Sequence, residues 1–325
     1  MTLRQKARLG EQAGFIATVV ASTFLMGSSF VAGKILLQGG FSPMILVGWR
    51  FLVAALAALP VLYLETDQPL RALFPSVLSA RDAGVIALIG LLQTAAVMGL
   101  LFLAMTSISA STAAILLFTN PIWVAVLGFA FLDESLHGAR ILGLVLGIIG
   151  VGLAIGPSAD ALNSLRAFRG EAIAMASALC WATATVINKK ANLPIGSWAL
   201  SFWQMLIGGV AILAVAYALG ERWPTHVTIA QWSWFVWLSI PASTGSFGLW
   251  FVALSKGGAT RTSGYLFLAP LFTVILSFVI MGSTLTWLQA GGGVMIGLAL
   301  WLVNREVHAK TGRERKAEVL AEGEP

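Results

Sequence analysis

About ten apolar runs, most of them near 20 residues long, fill the chain between residues 14 and 304. A bilayer core takes roughly 20 mostly apolar residues per helical crossing, so runs of this length and number restrict the chain to a membrane-embedded fold. They fall at 14–37, 43–64, 82–105, 109–131 and 138–156, then at 170–190, 196–219, 230–254, 262–281 and 287–303. Composition agrees: 58% of residues are hydrophobic and 10% charged, too few polar groups for a soluble domain of 325 residues to cover itself. Outer-membrane strands alternate apolar and polar residues, whereas these runs are continuous, which disfavours a β-barrel. The expectation is an all-α integral membrane protein with ten transmembrane helices. The single cysteine, Cys180, falls inside a run, precludes an intramolecular disulfide and reads as a small apolar packing residue.

The first run follows Arg4, Lys6 and Arg8 and exceeds the usual length of a signal-peptide core, so it reads as a retained helix. Ten crossings put both termini on one side, and the Lys/Arg distribution chooses which. With the termini inside, fifteen of the twenty basic residues lie at the cytoplasmic face, from Arg4 to Lys316. Lys34, Arg166, Arg169 and Arg222 fall outside, and Arg50 lies within a span. The net charge of +6 thus follows from topology and an anionic membrane surface, and no basic and aromatic interleaving suggests nucleic acid. The tail 305–325 is highly charged and has no core-forming pattern.

The two halves of the chain align with each other. ASTAAILLFTNPIWVAVLGFAFL lies over ATRTSGYLFLAPLFTVILSFVIM at an offset of 149, which sets Pro121 over Pro270 and Gly99 over Gly248. Upstream, ASTFLMGSSFVAGKIL (21–36) lies over ASALCWATATVINKKA (176–191) at 155, and Trp49-Arg50 over Trp203-Gln204 at 154. The division is an N-terminal segment 1–13, a five-helix repeat 14–156, a loop 157–169, a second repeat 170–304 and the tail. Five is odd, so the second copy enters the membrane from the opposite face. Inverted repeats with a site between them near the midplane are a recurrent plan of secondary transporters.

These residues resemble the EamA-type transporters of the drug/metabolite transporter superfamily. The likeness is carried by the small residues SISAS (107–111), the proline helix LLFTNP, the acidic end LDESL and the glycine-rich LGLVLGIIGVG, and it extends over residues 14–304. It implies ten helices in two inverted five-helix repeats and outward movement of a small metabolite such as an amino acid. One departure is that Asp133-Glu134 has Gly282-Ser283 as its counterpart. Glu134 is then either a helix-end residue with Arg140 as a possible partner, or part of a cytoplasmic gate in one repeat only.

Polar side chains in hydrocarbon are costly and should face a cavity or a neighbouring helix. Trp181, Thr185 and Asn188 share one face of the sixth span, and Ser239, Ser243, Ser246 and Trp250 one face of the eighth. Thr112, Thr119 and Trp123 share a face of the fourth, with Asn120 adjacent, while Gln93 and Tyr265 add hydrogen-bonding groups. Each reads either as a wall of a substrate cavity or as interhelical bonding. Pro121 and Pro270 read as hinges or as fixed kinks. Arg50 reads as a carboxylate anchor or as a structural residue that snorkels or bonds carbonyls. Gly143/Gly147 and Gly293/Gly297 form GxxxG pairs suited to close packing within the fold or in a homo-oligomer.

No Asp or Glu lies near the centre of a span, and His137, His226 and His308 sit in loops or the tail. No HExxH or P-loop occurs, so no metal, cofactor, ATP-driven pumping or catalysis is expected. The expected function is alternating-access movement of a small amphipathic solute across the inner membrane. An exporter of drugs or lipophilic cations, and a non-transporting lipid-handling enzyme or assembly factor, are the alternatives.

Overall fold

In the computed structural model the described residues are 3–66, 68–132, 138–155, 165–257, 262, 265–266, 268–282, 286–288, 290–295, 297–299 and 302. Glu134 and its candidate gate lie outside them. All regular elements among the described residues are helical. α1 (Leu3–Gln38) and α2 (Pro43–Glu65) are followed by the short α3 (Pro69–Leu73). The third span is α4 (Ala80–Ile89), a π-helical segment π1 (Gly90–Ala96) and α5 (Val97–Ala104). The fourth is α6 (Ala110–Leu117) and α7 (Asn120–Phe131), and α8 (Gly138–Ile155) follows. The second half has α9 (Leu165–Ala191) and α10 (Ser197–Ala218), then α11 (Ile229–Ser239), π2 (Ile240–Gly245), α12 (Ser246–Gly257) and α13 (Leu268–Met281).

Among the described residues, seven helices are long and apolar enough to cross a membrane: Gln12–Gln38, Pro43–Glu65, Ala80–Ala104, Ala110–Phe131, Leu165–Ala191, Ser197–Ala218 and Ile229–Leu254. At the fifth, ninth and tenth expected positions stand shorter apolar helices, Ile141–Gly150, Leu268–Met281 and Ala290–Ala299. Large apolar side chains such as Leu56, Val215, Phe278 and Val279 point outward from the bundle, which suits a lipid surface and not water. α1 begins earlier than the apolar run, because nothing between residues 3 and 14 breaks a helix.

Helix ends follow local chemistry. Pro43 opens α2, where its missing N–H would have had no intrahelical partner. The Glu221 carboxylate accepts from the Met44 and Ile45 N–H groups at 3.0 and 3.1 Å, capping α2 from the other half of the chain. α4 starts with a capping box between Ser79 and Asp82, and α11 with one between Thr228 and Gln231. The two boxes are separated by 149 residues, the same offset that aligns the halves, and π1 and π2 follow them at corresponding places.

The halves interlock. α1 packs on α11, π2, α12 and α13, while α9 packs on α4, π1, α5, α6 and α7. The first span of each repeat thus leans on the third and fourth spans of the other. α2 and α10 run against each other, and Gly48 and Gly209 allow the approach: a Cβ at Gly209 would stand 3.2 Å from the Leu52 nitrogen. The relation extends to single bonds. Ser22 donates to the Ser246 carbonyl at 2.8 Å and Ser177 donates to the Val97 carbonyl at 2.8 Å. Ser22 and Ser177 differ by 155 and Val97 and Ser246 by 149, so one interhelical bond is made twice.

Candidate functional site

Both prolines of the aligned helices stand just inside restarted helices. Pro121 lacks an N–H and its ring crowds the carbonyl of Leu117, four residues back, where α6 stops. The chain turns at Phe118 and Thr119 and resumes as α7, with the Ile122 N–H bonding the Thr119 carbonyl at 2.9 Å. Pro270 is the third residue of α13, and the Ala269 N–H bonds the turn residue Leu266 at 3.0 Å. At Pro121 the fourth span divides in two.

The break in the fourth span lies against α9. Asn120 is buried and directs its amide nitrogen toward the Ala178 carbonyl at 3.5 Å, the outer limit of a hydrogen bond. Thr119 donates to the Leu116 carbonyl at 2.7 Å and receives the Trp123 indole N–H at 3.3 Å. Phe118 meets Trp181 edge-on at 5.7 Å, Trp181 meets Trp250 at 6.5 Å, and Phe30 meets Phe118 at 5.8 Å. Trp181 and Trp250 are each 3% exposed, so they form a packed aromatic cluster joining α1, the fourth span, α9 and α12.

One helical turn from Trp250 on α12, Phe247 meets Phe51, and beside Phe51 lies Arg50. Arg50 is 1% exposed. Its Nε donates to the Ser243 hydroxyl at 2.6 Å, and Ser243 in turn donates to the Leu238 carbonyl at 2.7 Å. Nη2 reaches the Ala242 carbonyl at 3.5 Å, and Nη1 has no partner. Phe51 and Phe102 lie across the guanidinium at 4.7 and 5.4 Å from Cζ. Among the described residues no carboxylate pairs with it.

The repeat-related junction differs. Gln204, the counterpart of Arg50, sits where α10 passes π1; a Cβ at Gly90 would stand 3.2 Å from the Gln204 carbonyl oxygen. Thr94 is the counterpart of Ser243. Both Gln204 amide atoms and the Thr94 hydroxyl are buried and unpartnered. One junction is therefore bonded through Arg50 and Ser243, and its counterpart has the groups for a bond but does not make one.

The other sequence-predicted residues are distributed around this centre. Gln93 is buried on π1. Ser246 bonds back to the Ala242 carbonyl at 2.7 Å, and Thr185 to the Trp181 carbonyl at 2.9 Å, so both hydroxyls are engaged within their own helices. Asn188 lies further along α9 and is half-buried. Tyr265 packs edge-on against Phe15 at 5.8 Å. Gly147 faces Ala299, whereas a Cβ at Gly293 or Gly297 would meet nothing within 4 Å. An open cavity of about 480 Å³ lies elsewhere, lined by Thr106, Ser107, Arg166 and Arg169, and includes none of the predicted site residues.

Sequence reasoning missed the two π segments and the importance of Thr94. Pro241, inside π2, was a readable signal; its counterpart Leu92 is not, and π1 forms where Thr94 and Gly90 meet α10. A π bulge inserts an extra residue into a turn and re-aims the side chains around it, and such bulges recur at functional sites.

Comparison with known proteins finds likeness along most of the chain. The EamA-like transporter family model matches residues 14–156 and again 168–305. An uncharacterized transporter of Clostridium kluyveri is 24% identical over 304 residues, covering 93% of this chain and 94% of that protein. Protein PecM of Dickeya dadantii is 28% identical over 259 residues, covering 74% and 84%. A WAT1-related chloroplastic protein of Arabidopsis thaliana is 28% identical over 229 residues, covering 67% and 54%. One solved crystal structure superposes with a TM-score of 0.70 at 17% identity, covering 90% of this chain and 98% of the other, a likeness of fold.

Proposed function

The chain belongs to the EamA-like transporter family, and from that premise we propose a secondary transporter of the inner membrane that exports a small amphipathic metabolite, an amino acid or related compound. Its ten spans form two inverted five-helix repeats, 14–156 and 170–304, with both termini cytoplasmic. The observation that carries the reading is the inequality of the repeat-related junctions. Arg50 and Ser243 are bonded across the repeats, while Gln204 and Thr94 are not. Two halves that can exchange such arrangements have two related states of similar energy, which is what alternating access requires.

The solute site is assigned to the centre where the interrupted fourth span, the aromatic cluster and Arg50 meet. Substrate-stimulated counterflow in liposomes containing only this protein tests the function: flux of a labelled amino acid driven by unlabelled amino acid inside supports it. No flux for any amino acid or related metabolite removes them as substrates, and no flux of any tested solute, lipophilic cations included, favours a non-transporting role. Asn120→Ala should raise the half-saturation concentration about fivefold, near 1 kcal/mol, through loss of one hydrogen-bonding group, with the folded yield kept. Unchanged affinity would place Asn120 in the packing of the fourth span on α9.

Pro121 and Pro270 are assigned as pivots of this motion. Alanine at either position restores the missing N–H and favours a continuous helix. Both variants should express as the parent does and lose at least about tenfold in counterflow rate, since the helix must bend at these turns. Parental rates in both would leave the prolines as fixed kinks.

A further inference from the structure

We infer that the Arg50 guanidinium is the docking group for the carboxylate of the transported solute. This rests on the transporter reading and specifies its substrate chemistry. An arginine enclosed in a membrane bundle is costly unless its charge is answered, and among the described residues no acid answers it. The fold does not need the charge at this place. Gln204, at the same position in the other repeat, occupies the equivalent contact with a neutral side chain whose amide makes no bond at all.

The geometry defines which edge is offered. Phe51 and Phe102 cover the guanidinium, and the Nε side is held by Ser243, whose own proton is committed to the Leu238 carbonyl. What remains is the terminal edge: Nη1, unpartnered, and Nη2, with one long contact of 3.5 Å to Ala242. Two parallel N–H groups on one edge match the two oxygens of a carboxylate. Ser243 belongs to π2, so the residue that orients Arg50 sits where the eighth span departs from regular helix. Phe247 and Trp250, successive on one face of α12, extend an apolar aromatic wall from this point, suited to the hydrocarbon part of the same solute. Nη1 is enclosed in the conformation described, so the solute reaches it when the repeats part.

The test measures unfolding temperature of the purified full chain against concentration of three probe sets at constant ionic strength. They are the twenty common amino acids, the amide of each one that stabilises, and plain carboxylates including acetate, benzoate and phenylacetate. Binding to the folded state alone raises the midpoint, so the titrations give apparent affinities. Carboxylates should bind at least about tenfold more tightly than the matching amides. That ratio should fall to within about twofold in Arg50→Gln, and Arg50→Lys should keep an intermediate preference because it retains charge without the fork.

Equal affinity for acid and amide in the parent chain overturns the inference, as does a carboxylate preference that survives Arg50→Gln or an absence of stabilisation by every carboxylate. If Arg50→Gln does not fold, the parent acid-to-amide ratio and Arg50→Lys decide. Stabilisation by plain carboxylates but by no amino acid would uphold the anchor and remove amino acids from the proposed function. Counterflow without any acid preference would uphold the transporter and remove the anchor.

Discussion

Replacing Gly208 with valine is expected to stop α10 from seating on the third span and to cost about 3 kcal/mol or more, the upper range for overpacking a filled core. A Cβ at Gly208 would run into the Thr94 side chain and stand 2.6 Å from the Gly90 carbonyl oxygen. The Thr94 side chain has rotational freedom, but the carbonyl belongs to the backbone of π1 and can move only if that segment rewinds. The counterpart of Gly208 is Ala54, fully buried, whose carbonyl accepts the Thr244 hydroxyl at 2.7 Å. The two junctions are thus spaced differently, and glycine is required in one of them. Gly84 supplies the control, since a Cβ there would meet nothing within 4 Å. Gly84→Ala should be neutral or stabilising by up to roughly 1 kcal/mol through helix propensity. Thermal unfolding in detergent reads both, and a Gly208→Val protein as stable as the parent would contradict the close approach of α10 to π1.

Trp181→Ala should destabilise the fold by about 3–5 kcal/mol, the cost of emptying a large buried aromatic site. The indole is 3% exposed and held between Phe118 and Trp250, so its removal leaves a hole where four elements meet. Transport lost in this variant would therefore report folding before it reported solute contact. Trp181→Phe keeps an aromatic ring in the cluster and should retain most of the stability, which makes it the informative variant for affinity. If Trp181→Ala instead unfolds at the parent temperature, the indole faces solvent-filled space and its role is that of a cavity wall.

That contrast shows where sequence reading reached its limit at the candidate site. Helical spacing placed Trp181, Thr185 and Asn188 on one face, and Ser243, Ser246 and Trp250 on another. Spacing says which side chains share a face but does not say what opposes them. In the folded chain Trp181 and Trp250 oppose each other, Thr185 and Ser246 turn back to their own helices, and Ser243 alone of the eighth-span hydroxyls named meets Arg50. Arg50 carried no special signal beyond its charge in an apolar run. Its importance follows from what it touches, and from what Gln204 at the related position does not.

Legibility was high where one physical quantity dominates. The run 43–64 became Pro43–Glu65 and 82–105 became Ala80–Ala104, because hydrocarbon excludes polar backbone and side chains over a set length. The fourth run, 109–131, in which Pro121 read as a hinge or a fixed kink, divides at Phe118 and Thr119, because the ring of Pro121 excludes the Leu117 carbonyl and tertiary contacts with α9 hold the broken turn. Pro60 lies inside α2 without ending it, so proline alone does not decide the outcome. The pairing of capping boxes at Ser79 and Thr228 was also present in the chain, as Ser-x-x-Asp and Thr-x-x-Gln before apolar runs.

By itself, then, the amino-acid sequence determined the solvent, the helical state, the positions of the apolar segments and the relation between the halves, since each depends on local composition or on one residue type repeated at a fixed offset. Only the tertiary structure decided that π segments interrupt the third and eighth spans, that two tryptophans close on each other, and that a buried guanidinium is bonded in one junction while its counterpart is not. Those outcomes depend on distances between residues far apart in the chain, as in the bond from Arg50 to Ser243, 193 positions away, and packing sets such distances only when all the helices are in place.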